Sequence, residues 1–280
     1  GGGVDSAALG DAGAPLGVLT FEPHPLAVSR PGAAPGRLTT ADERSAALAE
    51  TSIDYQVVLR FDQALAALDP EQFVRDVLQA RCQMVELVVG HDHGFGRRRA
   101  GDRGMLESLA TDGGFALRVV APVAGSRGHL VSSSVIRDAV VAGDFAAAAA
   151  GLGRPYRVSG RVVPGQRRGR TLGIPTANLS TPVGKLLPPD GVYAVRVEWG
   201  GGTAGGMMNQ GTRPTVGDAT RWLEVHLFDF DGDLYGREIR IEWVAPLRAI
   251  RRFDSLAALR DQLEQDRANA RATLEGRANL

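Results

Sequence analysis

A hydroxyl and a carboxamide stand one residue apart, at Thr176 and Asn178, behind the proline of "TLGIPTANL" (171–179) and directly after the basic, glycine-bearing run "PGQRRGR" (164–170). Pro175 fixes its own backbone and disfavours helix at Ile174, so the residues beyond it are expected to continue as an extended strand. Side chains alternate across a strand, which puts Thr176 and Asn178 on one face and Ala177 and Leu179 on the other. Two neutral oxygens on one face are hard ligands of the kind Mg²⁺ accepts while waters and nucleotide phosphates fill the rest of its shell. The basic loop upstream, with Arg168 and Arg170, is placed to contact those phosphates, and Gly165, Gly169 and Gly173 allow close backbone approach. A second reading has equal weight on chemistry alone: a strand edge whose Thr and Asn bond to neighbouring backbone.

The segment "RWLEVHLFDFDGDLYG" (221–236) supplies a candidate base. Alternation groups Glu224, His226 and Phe228 on one face and Val225, Leu227 and Asp229 on the other, and one of these faces looks into whatever core the strand builds. A carboxylate inside a mostly apolar core needs a partner or a task, and beside a magnesium nucleotide that task is to accept the proton of an attacking alcohol. The commoner fate of a strand glutamate is to face solvent. "DFDGDLYG" opens as a calcium loop does, with Asp229, Asp231, Gly232 and Asp233, but Arg240 stands where the bidentate glutamate belongs and the flanks read as strands. Calcium is excluded, and Asp231–Gly232 is expected to be a tight hairpin turn.

The elements that must position these residues fall into two rhythms. Up to about residue 150, short apolar runs, "LGVLTF", "YQVVLRF", "MVELVVG" and "ALRVVAPV", alternate with helical patterns, among them "DPEQFVRDVLQAR", which opens with Asp69 as N-cap and Pro70 in the first turn. That series predicts a doubly wound parallel sheet with strands buried on both faces and ligands beyond their carboxyl ends. After "GLGRPYRVSG" (151–160) come alternating, β-branched segments between Gly, Pro and Asp turns, with no helical pattern until "SLAALRDQLEQDRANARATL". A closed antiparallel β-barrel with one terminal helix is expected, with the linker near Arg154.

The whole chain bounds what these sites can serve. Its 280 residues are enough for two domains, and a formal net charge of zero argues against broad binding of nucleic acid. The cluster Arg167, Arg168 and Arg170 is sized for a local phosphate site. One cysteine excludes an intramolecular disulfide and a cysteine-rich zinc site, and no apolar run reaches a membrane span, so a cytoplasmic protein is expected. The sequence carries no signal for an oligomeric state. The opening "GGGVDSAALGDAG" has no methionine and no signal-peptide pattern, and reads as a chain entered part-way.

Four segments, "RGRTLGIPTANL", "LPPDGVYAVRV", "NQGTRPTVG" and "LEVHLFDFDGDLYG", closely resemble in order and spacing the riboflavin kinase module of the bacterial bifunctional riboflavin kinase/FAD synthetases. The resemblance continues through the first half in "FEPHPL", "RLTT", "VVGHDHGFGRRRAGD" and "VSSSVIRDAVVAGD", so it covers almost the whole chain. It implies an N-terminal nucleotidyltransferase-like domain over 1–153, which forms FAD and diphosphate from FMN and ATP, and a Greek-key β-barrel kinase over 154–280, which forms FMN and ADP from riboflavin and ATP. On the matching positions Thr176 and Asn178 hold Mg²⁺ and phosphates, and Glu224 is the base. Asn209, Gly211, Arg213, Pro214 and Thr215 correspond to a flavin-side loop, and Arg248 with Phe253 to a segment closing over the flavin. Pro164, Arg167 and Ile250 depart from the family pattern, which bears on nucleotide affinity and loop closure.

In the first half the family's His-x-Gly-His segment has no counterpart, since His91-Asp92-His93-Gly94 follows a later strand, and the missing motif would precede residue 1. The adenylyltransferase half is therefore expected to be incomplete and impaired; the alternatives are a fully bifunctional enzyme whose opening residues are missing and a non-catalytic flavin-binding or regulatory protein. Ser132, Ser133 and Arg137 match the family's phosphate-binding Ser-Ser-Thr-x-Ile-Arg segment, with Ser134 in place of threonine; plain N-capping of the following helix explains the serines equally well. His24 reads either as a group near flavin or nucleotide or as a loop residue between two prolines. His91 and His93 lack the further ligands a metal pair needs.

Overall fold

The computed structural model describes residues 14–30, 32, 34–90, 103–125, 130–165, 174–213 and 220–276. Its contacts divide the chain into two compact units, one of Gly2–Pro35 with Arg44–Val131 and one of Gly36–Glu43 with Ser132–Leu280.

In the first unit, β1 (Gly17–Glu22) pairs in parallel with β2 (Tyr55–Arg60), and β3 (Glu86–Gly90) with β4 (Ala116–Val120). Parallel neighbours require a crossover. Helices α1 (Pro25–Ser29) and α2 (Ala41–Ala49) lie in the first crossover and α5 (Arg103–Gly113) in the second. Between the pairs run α3 (Gln63–Ala67) and α4 (Pro70–Gln72), the latter continuing as a π-helix over Phe73–Gln79. Asp69 and Gln72 form a reciprocal capping box, so the expected helix start is present with Pro70 at its head. The core gathers Val74, Leu78, Val89, Leu106, Leu109 and Phe115. The parallel strands are less covered than their apolar runs imply. Val58 is 51% exposed, and Val89 is the buried residue among the described positions of the four strands. Among the described residues the hydrogen bonds form two separate pairs, and a two-stranded pair shields less of itself than a continuous sheet.

The second unit is built on a closed antiparallel barrel of β5 (Arg157–Val163), β6 (Ala177–Leu179), β7 (Gly191–Trp199), β8 (Gly202–Arg213), β9 (Thr220–Leu227) and β10 (Glu238–Ala249), in the order β10-β5-β6-β9-β8-β7. Strands β7, β8 and β9 form a meander, and β6 returns beside β9, which makes a Greek key. Small barrels are filled by side chains. Here Val158, Val195, Met208, Leu223, Val225 and Ile241 are fully buried and fill it. The terminal helix α8 (Leu256–Gly276) packs outside, where its Leu263, Ala270 and Leu274 meet Ala194, Met207 and Phe228.

Helices α6 (Ser133–Ala142) and α7 (Phe145–Leu152) belong to this unit and end on left-handed glycines, Gly143 and Gly153. Phe145 stacks on Trp243, which also stacks on Tyr156. The short segment Gly36–Glu43 is held by a buried ion pair. Lys185 Nζ donates to Glu43 Oε2 at 2.7 Å, to the Leu38 carbonyl at 2.8 Å and to the Arg157 carbonyl at 2.6 Å, so all three ammonium protons are used. The other Glu43 oxygen accepts the Ser159 N–H at 2.8 Å.

The hairpin expected at Asp231–Gly232 is not formed. β9 and β10 are not neighbours in the barrel, and residues 228–237 make a longer connection between them. Asp229, at φ 54°, and Gly236, at φ 73°, take left-handed turns in it, and Asp229 is held by Arg271 at 2.8 Å.

Candidate active site

Antiparallel register puts Asn178 opposite Glu224, Glu224 opposite Asn209, Asn209 opposite Val192, and Val192 opposite Arg248. Directly opposed residues share a face, so one row crosses five strands with Glu224 between two carboxamides. This row lies outside the barrel, on the face that α8 covers further along. Glu224 is thus not an interior carboxylate; Leu223, Val225 and Leu227 of β9 point inward. A six-stranded barrel has room inside for side chains only, and its interior here is mainly apolar, with the buried Gln210 spent on the Pro188 and Pro189 carbonyls, so a carboxylate that must meet a ligand stands on the outer face.

The Thr176 hydroxyl donates to Glu224 Oε1 at 2.5 Å. A hydroxyl keeps lone pairs after donating, so the Thr176 oxygen still has acceptor capacity. Asn178 is buried, and its carboxamide lies against Gly165, where an added Cβ would stand 2.0 Å from Asn178 Nδ2. Asn209 Oδ1 is buried with no hydrogen-bond partner among the described residues. Gly211 continues the Asn209 face against the Trp222 ring. The structure therefore brings Gly165, Thr176, Asn178, Asn209 and Glu224 together as two oxygens beside a carboxylate, with an unpaired amide oxygen on its other flank. This donor set fits a hard cation carried by phosphates. Among the described residues no group of three His, Cys, Asp or Glu side chains could hold a metal by itself.

Two further anchors frame the row. His226, two residues along β9 from Glu224, is buried and holds the Pro175 carbonyl at 2.8 Å through Nδ1. Burial, with Arg267 and Arg271 nearby, pushes its pKa below the usual histidine range, against the opposing effect of the Pro175 bond. Arg248 is committed to Asp266 of α8 at 2.7 to 3.0 Å and lies over the Phe253 ring. The loop before β7 is gripped by Gln210, which donates to the Pro188 and Pro189 carbonyls, and by Arg221, which donates to the Pro188 carbonyl and pairs with Asp190. Arg221 holds the Asp190 carboxyl below its usual range, against the opposing and largest effect of burial.

Ser132 and Arg137 are engaged elsewhere: Ser132 caps α6 by accepting the Val135 N–H at 3.3 Å, and Arg137 donates to the Gly36 carbonyl at 3.0 Å. Ser133 opens the helix and is exposed. His24 caps α1 by accepting the Leu26 N–H at 3.1 Å. Arg168, Gly169, Arg170, Gly173, Pro214, Thr215, His91 and His93 lie outside the described residues, as does the Arg213 side chain. Sequence reasoning missed the His226–Pro175 bond, the Asp266 grip on Arg248 and the clearance that Gly165 gives Asn178. Of these, only the shared face of His226 and Glu224 left a local signal.

The family model described as riboflavin kinase matches residues 152–274, and that described as FAD synthetase matches residues 6–135. The bifunctional riboflavin kinase/FMN adenylyltransferase of Escherichia coli (strain K12) is 39% identical over 259 residues, covering 92% of this chain and 82% of the relative. The chain belongs to that bifunctional family. Relatives of the same description from Pseudomonas fluorescens and Bacillus subtilis (strain 168) are 40% and 33% identical over similar spans. A crystal structure named as a macrolide-efflux protein from Streptococcus pneumoniae superposes with a TM-score of 0.81 at 30% identity, over 95% of this chain and 86% of that one. No helix among the described residues is long and apolar enough to cross a membrane. The synthetase and kinase segments of this bifunctional family are thus both present, the first over residues that include the parallel strands and the second over residues that include the barrel.

Proposed function

We propose that the barrel transfers the γ-phosphoryl group of ATP to the 5′-hydroxyl of riboflavin. The single observation that carries this reading is the row Asn178–Glu224–Asn209, with Thr176 bonded to its central carboxylate. Glu224 Oε1 is taken by Thr176, which leaves Oε2 to accept the proton of the attacking hydroxyl. The new bond joins that oxygen to the γ-phosphorus while the bond to the β-phosphate oxygen breaks and ADP leaves. Thr176 and Asn178 would hold Mg²⁺ with the nucleotide phosphates, and the ion would offset their negative charge. Asn209, Gly211, Arg213 and Thr215 form the flavin side, and the basic loop with Arg168, Gly169, Arg170 and Gly173 meets the phosphates. Arg248 and Phe253 close over the flavin, with Arg248 oriented by Asp266.

A second reaction, FMN and ATP to FAD and diphosphate, is favoured by the FAD synthetase match over residues 6–135; Ser132, Ser133 and Arg137 would serve its nucleotide. The domain boundary on this reading lies at 153/154, and the protein works in the cytoplasm on riboflavin, FMN and ATP. Incubation with riboflavin, ATP and Mg²⁺, followed by resolution of FMN from FAD, tests both reactions. FMN is expected only with a divalent metal; a folded barrel that makes none overturns the kinase reading.

A further inference from the structure

We propose that His226 is a positioning residue for the phosphoryl-transfer site: its hydrogen bond to the Pro175 carbonyl holds Thr176 against Glu224. The inference rests on the kinase reading above and adds a residue to it. Pro175 O and Thr176 N belong to one peptide plane, so fixing that oxygen fixes the point from which the Thr176 side chain leaves the backbone. The sheet cannot do this. Pairing of β6 with β9 begins only at Ala177, opposite Val225, and Pro175 has no N–H to offer a ladder.

What the ladder lacks, β9 supplies with side chains. Glu224 takes the Thr176 hydroxyl at 2.5 Å, and His226 takes the preceding carbonyl at 2.8 Å. Strand alternation puts both grips on one face, two residues apart, matching two successive groups of the incoming chain. Ile174, buried in the cluster beneath α8, anchors the same segment from before the proline. A carbonyl can only accept, so the bond requires the proton on Nδ1. The ring is held at 9% exposure, edge to face with Phe228 at 5.8 Å, which limits its rotation. A histidine that merely satisfied a buried carbonyl would affect stability alone. One that sets the Thr176–Glu224 contact must also affect the rate of transfer.

The test uses the full chain in steady-state FMN formation. H226L fills the space without a donor, and H226N offers a carboxamide N–H near the Nδ1 position. Expected are a fall in kcat of about 10-fold or more for H226L with the KM for riboflavin changed by less than about twofold, and recovery of most of the rate in H226N. In a T176V background H226L should cost less than about twofold further, because the contact it positions is already gone. Three outcomes overturn the proposal: H226L within about twofold of wild-type kcat, no recovery in H226N with its melting temperature intact, or additive losses in the double variant. If H226L does not fold, H226Q, whose longer side chain displaces the donor, takes its place in the cycle. A wild-type chain that forms no FMN overturns the kinase reading itself, which keeps the two failures apart.

Discussion

The Thr176 hydroxyl is bonded to Glu224 Oε1, and on the proposed reading Oε2 accepts the substrate proton, so replacing Glu224 probes transfer rather than assembly. E224Q should lower turnover by about 10² to 10⁴-fold with little effect on riboflavin binding, read by flavin fluorescence. A near-normal rate would move the base elsewhere. Gly165 carries a different expectation. Alanine there must displace the Asn178 carboxamide, so G165A should raise the KM for magnesium nucleotide and lower kcat by about 10-fold, in a protein whose circular dichroism is unchanged. His226 adds a pH dependence. Its folded pKa lies below the unfolded value of 6.5, so the unfolded chain binds the proton first and unfolding is favoured as pH falls. The stability linked to this group is present above pH 6.5 and is lost as pH drops from there through the folded pKa; denaturant titrations of wild type and H226N across that window should diverge. At this scale, alternation in "PTANL" and "LEVHLF" was enough to align Thr176, Asn178, Glu224 and His226. The Pro175 partner of His226 was not legible, because 51 residues separate them and no local pattern encodes the pairing. Gly165 was legible as a glycine that matters but not for the reason found: its neighbour is the Asn178 side chain, which only the barrel brings across.

β6 is three residues long, yet it carries Asn178 between β5 and β9, and its brevity makes the site depend on what lies at either end. Before it stand the side-chain grips on Pro175 and Thr176. After it the chain runs through Thr181, which bonds the Arg221 carbonyl, to Lys185 and its buried pair with Glu43. Removing one partner of such a pair leaves the other charge buried, so K185M should destabilise the barrel unit by about 3–5 kcal/mol in chemical denaturation. A much smaller loss would mean that Glu43 reaches water when the lysine is gone. The strands, the terminal helix and the capped start at Asp69 were legible, because period, turn residues and caps are local. The exposure of β2 was not, since burial depends on how many neighbours a strand finds. The turn at Asp231–Gly232 was misread for a related reason: a hairpin requires its flanking strands to be partners, and barrel order decides that.

At the level of the molecule, the unit that contains the barrel starts at Ser132 and recruits Gly36–Glu43, whereas the change of sequence rhythm stands near Arg154. A fragment of residues 154–280 would lose Phe145 from Trp243 and Glu43 from Lys185, and should melt well below the same unit in the whole chain; equal melting temperatures would show those contacts to be dispensable. Composition could not reveal this arrangement, because Lys185 and Glu43 lie 142 positions apart and each looks like an ordinary surface charge in its own neighbourhood. The buried ion pair has a consequence for chain cleavage. A protease that nicks the chain beside the exposed Leu130 cuts the polypeptide just before Ser132, but the segment carrying Glu43 remains seated on the barrel by a buried lysine. The two pieces should therefore co-elute under native conditions and separate only in denaturant, behaving as a complementing pair after the covalent link is gone.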